Sequence, residues 1–359
     1  MSTMTNSPAG GARPGHRRRA GHGTKLITGA AAAALVAGGG FLLAGNASAG
    51  EEAAAGGGAG TAGAGTEFAP YVDTSLQPSY DLVEAAGRTG VKEYTLAFVT
   101  SADGACVPKW GGSQELTGNP VAAQIPKLRE KGGDVRVSFG GANGSELGLA
   151  CNSADDLAAA YGKVVDAFDL KKIDLDIEGA ALPDTQANDR RAKAVAALQK
   201  SHKGLDVSYT LPVMPEGLTA PGTALLENAK KNGVQVSTVN LMAMDYGTSY
   251  DGDMGDYAIQ AATAAHKQVG SALGLDDAKA WRALAITPMI GVNDVAVEVF
   301  EPSDAEQVRK FADKKGLGGL SMWSATRDRP CPDGPKNEAD PTCSSIEQDA
   351  DAFATAFAG

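Results

Sequence analysis

Eight short apolar runs, each separated from the next by a segment of helical period, set the strongest limit on how this 359-residue chain folds. The runs cover residues 68–73, 93–99, 134–139, 173–178, 205–211, 236–243, 283–290 and 318–324. Helical segments over 120–131, 154–168, 185–201 and 304–315 lie between them, and Ser153 with Asp156 three residues on has the spacing of a capping box. Strands alternating with helices imply a parallel sheet, and eight such units imply a single (β/α)8 barrel. A doubly wound open sheet is the alternative, but no G-x-G-x-x-G or G-x-x-x-x-G-K motif supports a nucleotide site of that fold.

The fourth run reads Ile173-Asp174-Leu175-Asp176-Ile177-Glu178-Gly179. Strand side chains alternate between faces, so Asp174, Asp176 and Glu178 share one face and the three aliphatics share the other. No Lys, Arg or His is interleaved to relieve the carboxylates. Crowding raises the cost of ionisation, so at least one acid is expected to hold a proton near neutral pH, as a general acid must. A solvated strand face or a metal site would also use such a run. The aliphatics instead match the helix-facing side of a buried parallel strand. His202 and His266 are the only histidines beyond the leader, and neither is near this run in sequence. An all-oxygen Mg or Ca site stays open, but no metal or other cofactor is expected.

Residues 1–49 read as a secretory signal peptide. Arg13, Arg17, Arg18, Arg19 and Lys25 form its basic start, an apolar stretch follows, and Ala47-Ser48-Ala49 offers a cleavage site. Residues 50–65 read as an Ala/Gly-rich flexible spacer, and residues 66–359 as the catalytic domain. Removing the leader's five basic residues leaves 27 basic against 43 acidic side chains, a net charge near −16 compared with −11 for the whole chain. Such a chain is ill suited to nucleic acid or anionic membranes and suits an uncharged or cationic substrate. Four cysteines in an exported chain indicate disulfides, with three connectivities possible. Cys106–Cys151 with Cys331–Cys343 is favoured, because the second pair closes a short Pro/Asp/Gly-rich loop.

In a (β/α)8 barrel the chemistry sits at the C-terminal ends of the strands. Here those ends carry Ser138-Phe139-Gly140-Gly141, Glu178, Met244-Asp245-Tyr246 and Trp323. Singly, the glycines could be only a turn, Asp245 a helix cap and Trp323 core. Their recurrence at one rim argues for a site.

With these residues in place, the sequence over 66–359 resembles glycoside hydrolase family 18, the chitinase family. Asp174, Asp176 and Glu178 match the D-x-D-x-E ending of its acidic motif, Ser138 to Gly141 match S-x-G-G, and Trp323 matches the last-strand tryptophan. The segment Phe68-Ala69-Pro70-Tyr71-Val72-Asp73 resembles the secreted bacterial and archaeal branch. Two positions depart from the pattern. Lys171 replaces an Asp of the full motif, and Met244 stands where the sixth-strand motif has Tyr, followed by Asp245 and Tyr246.

The resemblance implies a retaining, substrate-assisted chitinase acting on β-1,4 bonds between N-acetylglucosamine units. Glu178 would be the general acid and base, Asp176 would hold the acetamido N–H, and Asp174 would share a proton with Asp176. Asp245, Tyr246, Tyr71, Met244, Gly140, Gly141 and Trp323 would form the sugar site, with Trp110 a further candidate platform. About 26 residues separate Gly291 from Gly318, too few for a helix and the large α+β insertion of some members, so a shallow groove and endo cleavage are expected. The expected partner is chitin or chitooligosaccharides, and the protein is expected to be a secreted extracellular monomer. An endo-β-N-acetylglucosaminidase on N-glycans and a non-catalytic chitin-binding lectin are the alternatives.

Overall fold

The computed structural model describes residues 66–359. The leader expected over 1–49 and the spacer expected over 50–65 lie outside the described residues.

Eight parallel strands form the barrel. They are β1 (Glu67–Phe68 with Tyr71–Asp73), β2 (Glu93–Ser101), β3 (Asp134–Gly140), β4 (Lys172–Asp176), β5 (Asp206–Met214), β6 (Thr238–Met242), β7 (Leu284–Thr287) and β8 (Gly319–Leu320). The two halves of β1 close the circle: Phe68 pairs with Leu320 of β8, and Tyr71 pairs with Thr95 of β2. The surrounding helices are α1 (Leu82–Thr89), α2 (Ile125–Glu130), α3 (Ala154–Phe168), α4 (Thr185–Ser201), α5 (Ala220–Lys231), α6 (Met254–Leu273), α7 (Pro302–Lys315) and α8 (Ala352–Ala358). This is the (β/α)8 barrel expected from the alternation.

Helix ends follow their capping residues. Ser153 accepts the Asp156 N–H ahead of α3, and Asp184 accepts the Ala187 N–H ahead of α4. A reciprocal capping box between Glu301 and Asp304 starts α7 at Pro302, two residues before the segment read from the sequence. The expected helix over 120–131 is broken into a 3-10 turn, Ala122–Gln124, and α2. Pro126 falls in the first turn of α2, where its missing N–H costs nothing. β4 ends at Asp176 and not at Glu178. Ile177 N–H still bonds the Thr210 carbonyl at 3.0 Å, and Glu178 keeps extended backbone, so the alternation of faces continues past the strand.

Ile173, Leu175 and Ile177 are fully buried in the apolar layer that β4 shares with the helices. The opposite face of β4 points into the barrel. Barrel interiors are usually filled by branched apolar side chains. This one is polar at its centre, where Ser138, Asp174, Ser208, Thr210, Asn240 and Thr287 are all buried.

Connections at the C-terminal rim are short. A strand at Pro108–Trp110 folds back on β2, another at Gly217–Leu218 folds back on β5, and a hairpin pairs Gly291–Val292 with Val299–Phe300 between β7 and α7. That hairpin is the whole insertion after β7. Cys106 is bonded to Cys151 and Cys331 to Cys343, the favoured pairing.

The loop after β3 is held by that first disulfide and by a buried ion pair. Glu146 Oε2 meets Arg191 of α4 at 2.7 Å, with both side chains at most 5% exposed, and Tyr161 of α3 donates to Glu146 Oε1. Burial pushes the Glu146 carboxyl up, but the Arg191 guanidinium and its hydrogen bonds bring it below its ordinary value. A depressed carboxyl stabilises the fold above its unfolded pKa, and that contribution is lost as pH falls through the folded one. Glu146→Ala leaves Arg191 buried and unpaired, and is expected to cost about 3–5 kcal/mol at pH 7 in urea unfolding. The difference from the native chain should shrink as unfolding is repeated at pH values below the ordinary carboxylate range.

Candidate active site

Strand register assembles the site. Ser138 of β3, Asp174 of β4 and Ser208 of β5 stand in one row, and Gly140, Asp176, Thr210 and Asn240 stand in the next. Both oxygens of Asp174 are taken by hydroxyls. Oδ2 accepts from Tyr71 at 3.0 Å and Ser138 at 2.7 Å, and Oδ1 from Ser208 at 2.5 Å and Thr210 at 2.9 Å. Asn240 continues the network, donating to Thr210 Oγ1 at 3.0 Å and accepting from Thr287 at 2.8 Å.

Asp176 stands directly above, and is also buried, with an Oδ1 that has no protein partner. Burial, then the Glu178 and Asp174 charges, push its carboxyl well above the ordinary value. Glu178 is half-buried, and burial followed by the Asp245 charge raises it too. Burial also raises Asp245 itself, against the backbone N–H of Val295, which its Oδ1 accepts at 2.9 Å.

Asp176, Glu178, Met244, Asp245, Tyr71 and Trp323 line one cavity of about 440 Å³ at the C-terminal end of the barrel. Trp323 stacks on Phe98 with ring centroids 5.5 Å apart, and Tyr71 lies 6.0 Å from the same indole. Phe98 and Trp323 stack at 21° and Tyr71 is tilted 59° to the indole, so the three rings make an aromatic wall.

Three expectations are corrected by burial. Tyr246 does not reach the cavity; it is 6% exposed and packs against Tyr250 and Tyr257. Gly140 and Gly141 are not lining residues. Their backbones have φ of +106° and +86°, and a Cβ would meet the Asp176 carbonyl at 2.0 Å or the Phe98 ring at 2.8 Å. They let β3 close on the acid strand. Trp110 is 2% exposed and bonds the Leu116 carbonyl, so it is no sugar platform. His266 stacks on Trp281, and Lys315 lies over the same ring.

Phe98, Asp73, Asn143 and Asp294 also line the cavity and were not singled out from the sequence. Asp73 ends a barrel strand and Asn143 and Asp294 follow one, so the rim logic that found Trp323 applies to them, whereas Phe98 lies inside β2. Among the described residues, no group of three or more His, Cys, Asp or Glu is arranged to hold a metal ion.

No family model matches the chain. The sequence is 40% identical over 277 residues to a probable bifunctional chitinase/lysozyme of Escherichia coli strain K12. It is 39% identical over 278 residues to endochitinase 11 of Metarhizium anisopliae. Each match covers 73% of this chain, which spans 31% and 52% of those two relatives. The catalytic domain of a hyperthermophilic chitinase from Pyrococcus furiosus shares the fold with a TM-score of 0.75 and 35% identity, over 82% of this chain and 94% of that one. This chain belongs to glycoside hydrolase family 18.

A family 18 chitinase from Pseudoalteromonas aurantia shares only the fold, at 17% identity and a TM-score of 0.53, over 72% of this chain and 94% of that one. In the present family 18 barrel the sixth-strand departure has a clear consequence. Met244 faces the cavity while the Tyr246 hydroxyl does not, so β6 supplies no phenol to the site.

The raised Asp176 carboxyl makes a prediction. A native state that holds a proton the unfolded chain has released loses stability as pH rises between the two pKa values. Asp176→Asn removes that penalty. Thermal unfolding should therefore show the variant more stable than the native chain at pH 8, with the gap closing as pH falls to about 4, the ordinary aspartate value.

Proposed function

We propose that this chain is a chitinase that cleaves β-1,4 bonds between N-acetylglucosamine units with retention, using Glu178 as general acid and base. The observation that carries this reading is the placement of a half-buried Glu178, its carboxyl raised by burial and by the Asp245 charge, above a buried Asp176 in a cavity walled by Trp323, Phe98 and Tyr71. A carboxyl with a raised pKa can deliver its proton to a glycosidic oxygen near neutral pH. The aromatic wall suits the apolar face of a pyranose ring.

The reaction follows from these positions. Glu178 protonates the leaving oxygen, and the carbonyl oxygen of the sugar's own 2-acetamido group attacks the anomeric carbon as the glycosidic bond breaks. Asp176 accepts the acetamido N–H, its proton passing to Asp174, and its charge balances the positive oxazolinium ring. Asp174 stays in place on its four hydroxyls. Glu178, now ionised, takes a proton from water as the water opens the ring from the opposite side, and the starting configuration returns. Asp245 helps hold the acetamido group. Met244 supplies contact in place of a tyrosine hydroxyl.

The lining supports an uncharged substrate. Five carboxyls, from Asp73, Asp176, Glu178, Asp245 and Asp294, face the cavity, and no Lys, Arg or His does. An anionic sugar would be repelled. The short hairpin after β7 supports an open groove and internal cleavage of a polymer. A basic, apolar leader and two disulfides support action outside the cell.

Hydrolysis of chitohexaose, followed by NMR of the product anomers, tests the reading. The native protein should release β-anomers first. Glu178→Gln should lower kcat by about 10²–10⁴-fold while still binding the hexamer. Binding without cleavage by the native protein would favour a lectin, and early α-anomers would exclude the retaining mechanism.

A further inference from the structure

Asp245 reaches the cavity from an unusual turn. Its own φ is +52° and that of Gly247 is +115°. Glycine enters the left-handed region freely and aspartate occasionally, so what holds this turn is read from the bonds made to it. Successive N–H groups in such a turn form a concave anion site. Here the occupant belongs to the protein. Glu298, in the hairpin after β7, is fully buried, and its Oε1 accepts the Gly247 N–H at 2.7 Å. Burial raises the Glu298 carboxyl, and the N–H groups of Gly247, Tyr246 and Asp245 oppose that rise. The tie is reciprocal, because Asp245 Oδ1 accepts the Val295 N–H from the same hairpin. The hairpin turn is itself closed by bonds from Asn293 N–H to the Glu298 carbonyl and from Glu298 N–H to the Val295 carbonyl.

We propose that Glu298 is a positioning residue: its carboxylate, bonded to Gly247, locks the Asp245–Gly247 turn and so holds the Asp245 carboxylate beside Glu178. The inference rests on the chitinase reading for its consequence in turnover, but not for its geometry. Glu298 lies outside the lining of the cavity, so it acts only through the turn.

Several charges face this part of the site. Asp174 and Asp176 come from β4, Tyr71 and Asp73 from β1, and Asp294 from the hairpin. Arg327, following β8, is buried, bonds the Ile290 and Val292 carbonyls, and acts on Asp245 and Asp294. Burial lowers its pKa to about 10, so it remains a cation through the working range. Among these groups Asp245 is the one whose charge raises Glu178. If the turn loosens and Asp245 withdraws, Glu178 gives up its proton more readily. The loss of activity at high pH then begins at lower pH.

The test compares Glu298→Ala and Glu298→Gln with the native protein and with Asp245→Asn. Chitohexaose hydrolysis gives the pH profile, and carboxyl-carbon NMR follows Glu178 directly, whether or not the hexamer is cut. In Glu298→Ala, kcat should fall about tenfold. The Glu178 midpoint should move down by about half a pH unit or more. Glu298→Gln, whose amide oxygen still accepts the Gly247 N–H, should stay close to native in both. Combined with Asp245→Asn, Glu298→Ala should add no further displacement. An unchanged Glu178 midpoint in folded Glu298→Ala would overturn the proposal, and so would the same displacement in the Asp245→Asn background. If Glu298→Ala does not fold, Glu298→Asp, which draws the carboxylate back by one methylene, carries the same comparison. An inactive native protein would defeat the chitinase reading and leave the NMR comparison to decide this one.

Discussion

A carboxylate buried at the centre of a barrel costs several kcal/mol unless its oxygens are satisfied. Asp174 meets that cost with four hydroxyls drawn from β1, β3 and β5. Hydrogen bonds to charged groups contribute about 1.5–3 kcal/mol each, so four of them offset a penalty of that size. The arrangement works only if neighbouring strands stay in register, because a slip of one residue turns each side chain to the opposite face. The row Ser138, Asp174, Ser208 is therefore a constraint on the whole barrel. It replaces the aliphatic layer that fills most barrels of this kind, and it makes a polar floor on which Asp176 and Glu178 stand.

From that floor upward, each acid meets a different environment. Asp174 is surrounded by donors. Asp176 is buried, has an oxygen with no protein partner and two acidic neighbours, so its carboxyl is pushed well above the ordinary value. Glu178 leaves the strand end for the cavity and is tuned from across the barrel by Asp245. Three carboxyls spaced two residues apart thus meet three different surroundings. The difference comes from depth along one strand and from what the neighbouring strands bring to each level.

The rim is held by ties that a list of lining residues does not reveal. Gly140 and Gly141 contribute no side chain, yet their positive φ and missing Cβ allow β3 to press against the Asp176 carbonyl and Phe98. Glu146 with Arg191 anchors the loop behind them. Glu298 and Asp245 exchange carboxylate–backbone bonds between the β6 turn and the β7 hairpin. These pieces are rigid loop supports of the kind that keep reacting groups within a fraction of an ångström.

Local pattern was enough to read the barrel, the acid strand and the aromatic at the end of β8. Strand alternation, helical period and capping residues act over a few neighbours, and α3 and α4 have the limits their caps announce. The same reach explains the disulfides, one of which closes a loop of short span. What each residue touches was decided by tertiary structure. Tyr246 looked like a replacement for the missing tyrosine, but the turn at Asp245 sends it into a buried cluster with Tyr250 and Tyr257. Trp110 looked exposed and is core. Glu298, 120 residues beyond Glu178 in the sequence, carries no local signal at all. Facing direction is a local property of strands and helices, whereas contact between distant segments exists only once the barrel has closed.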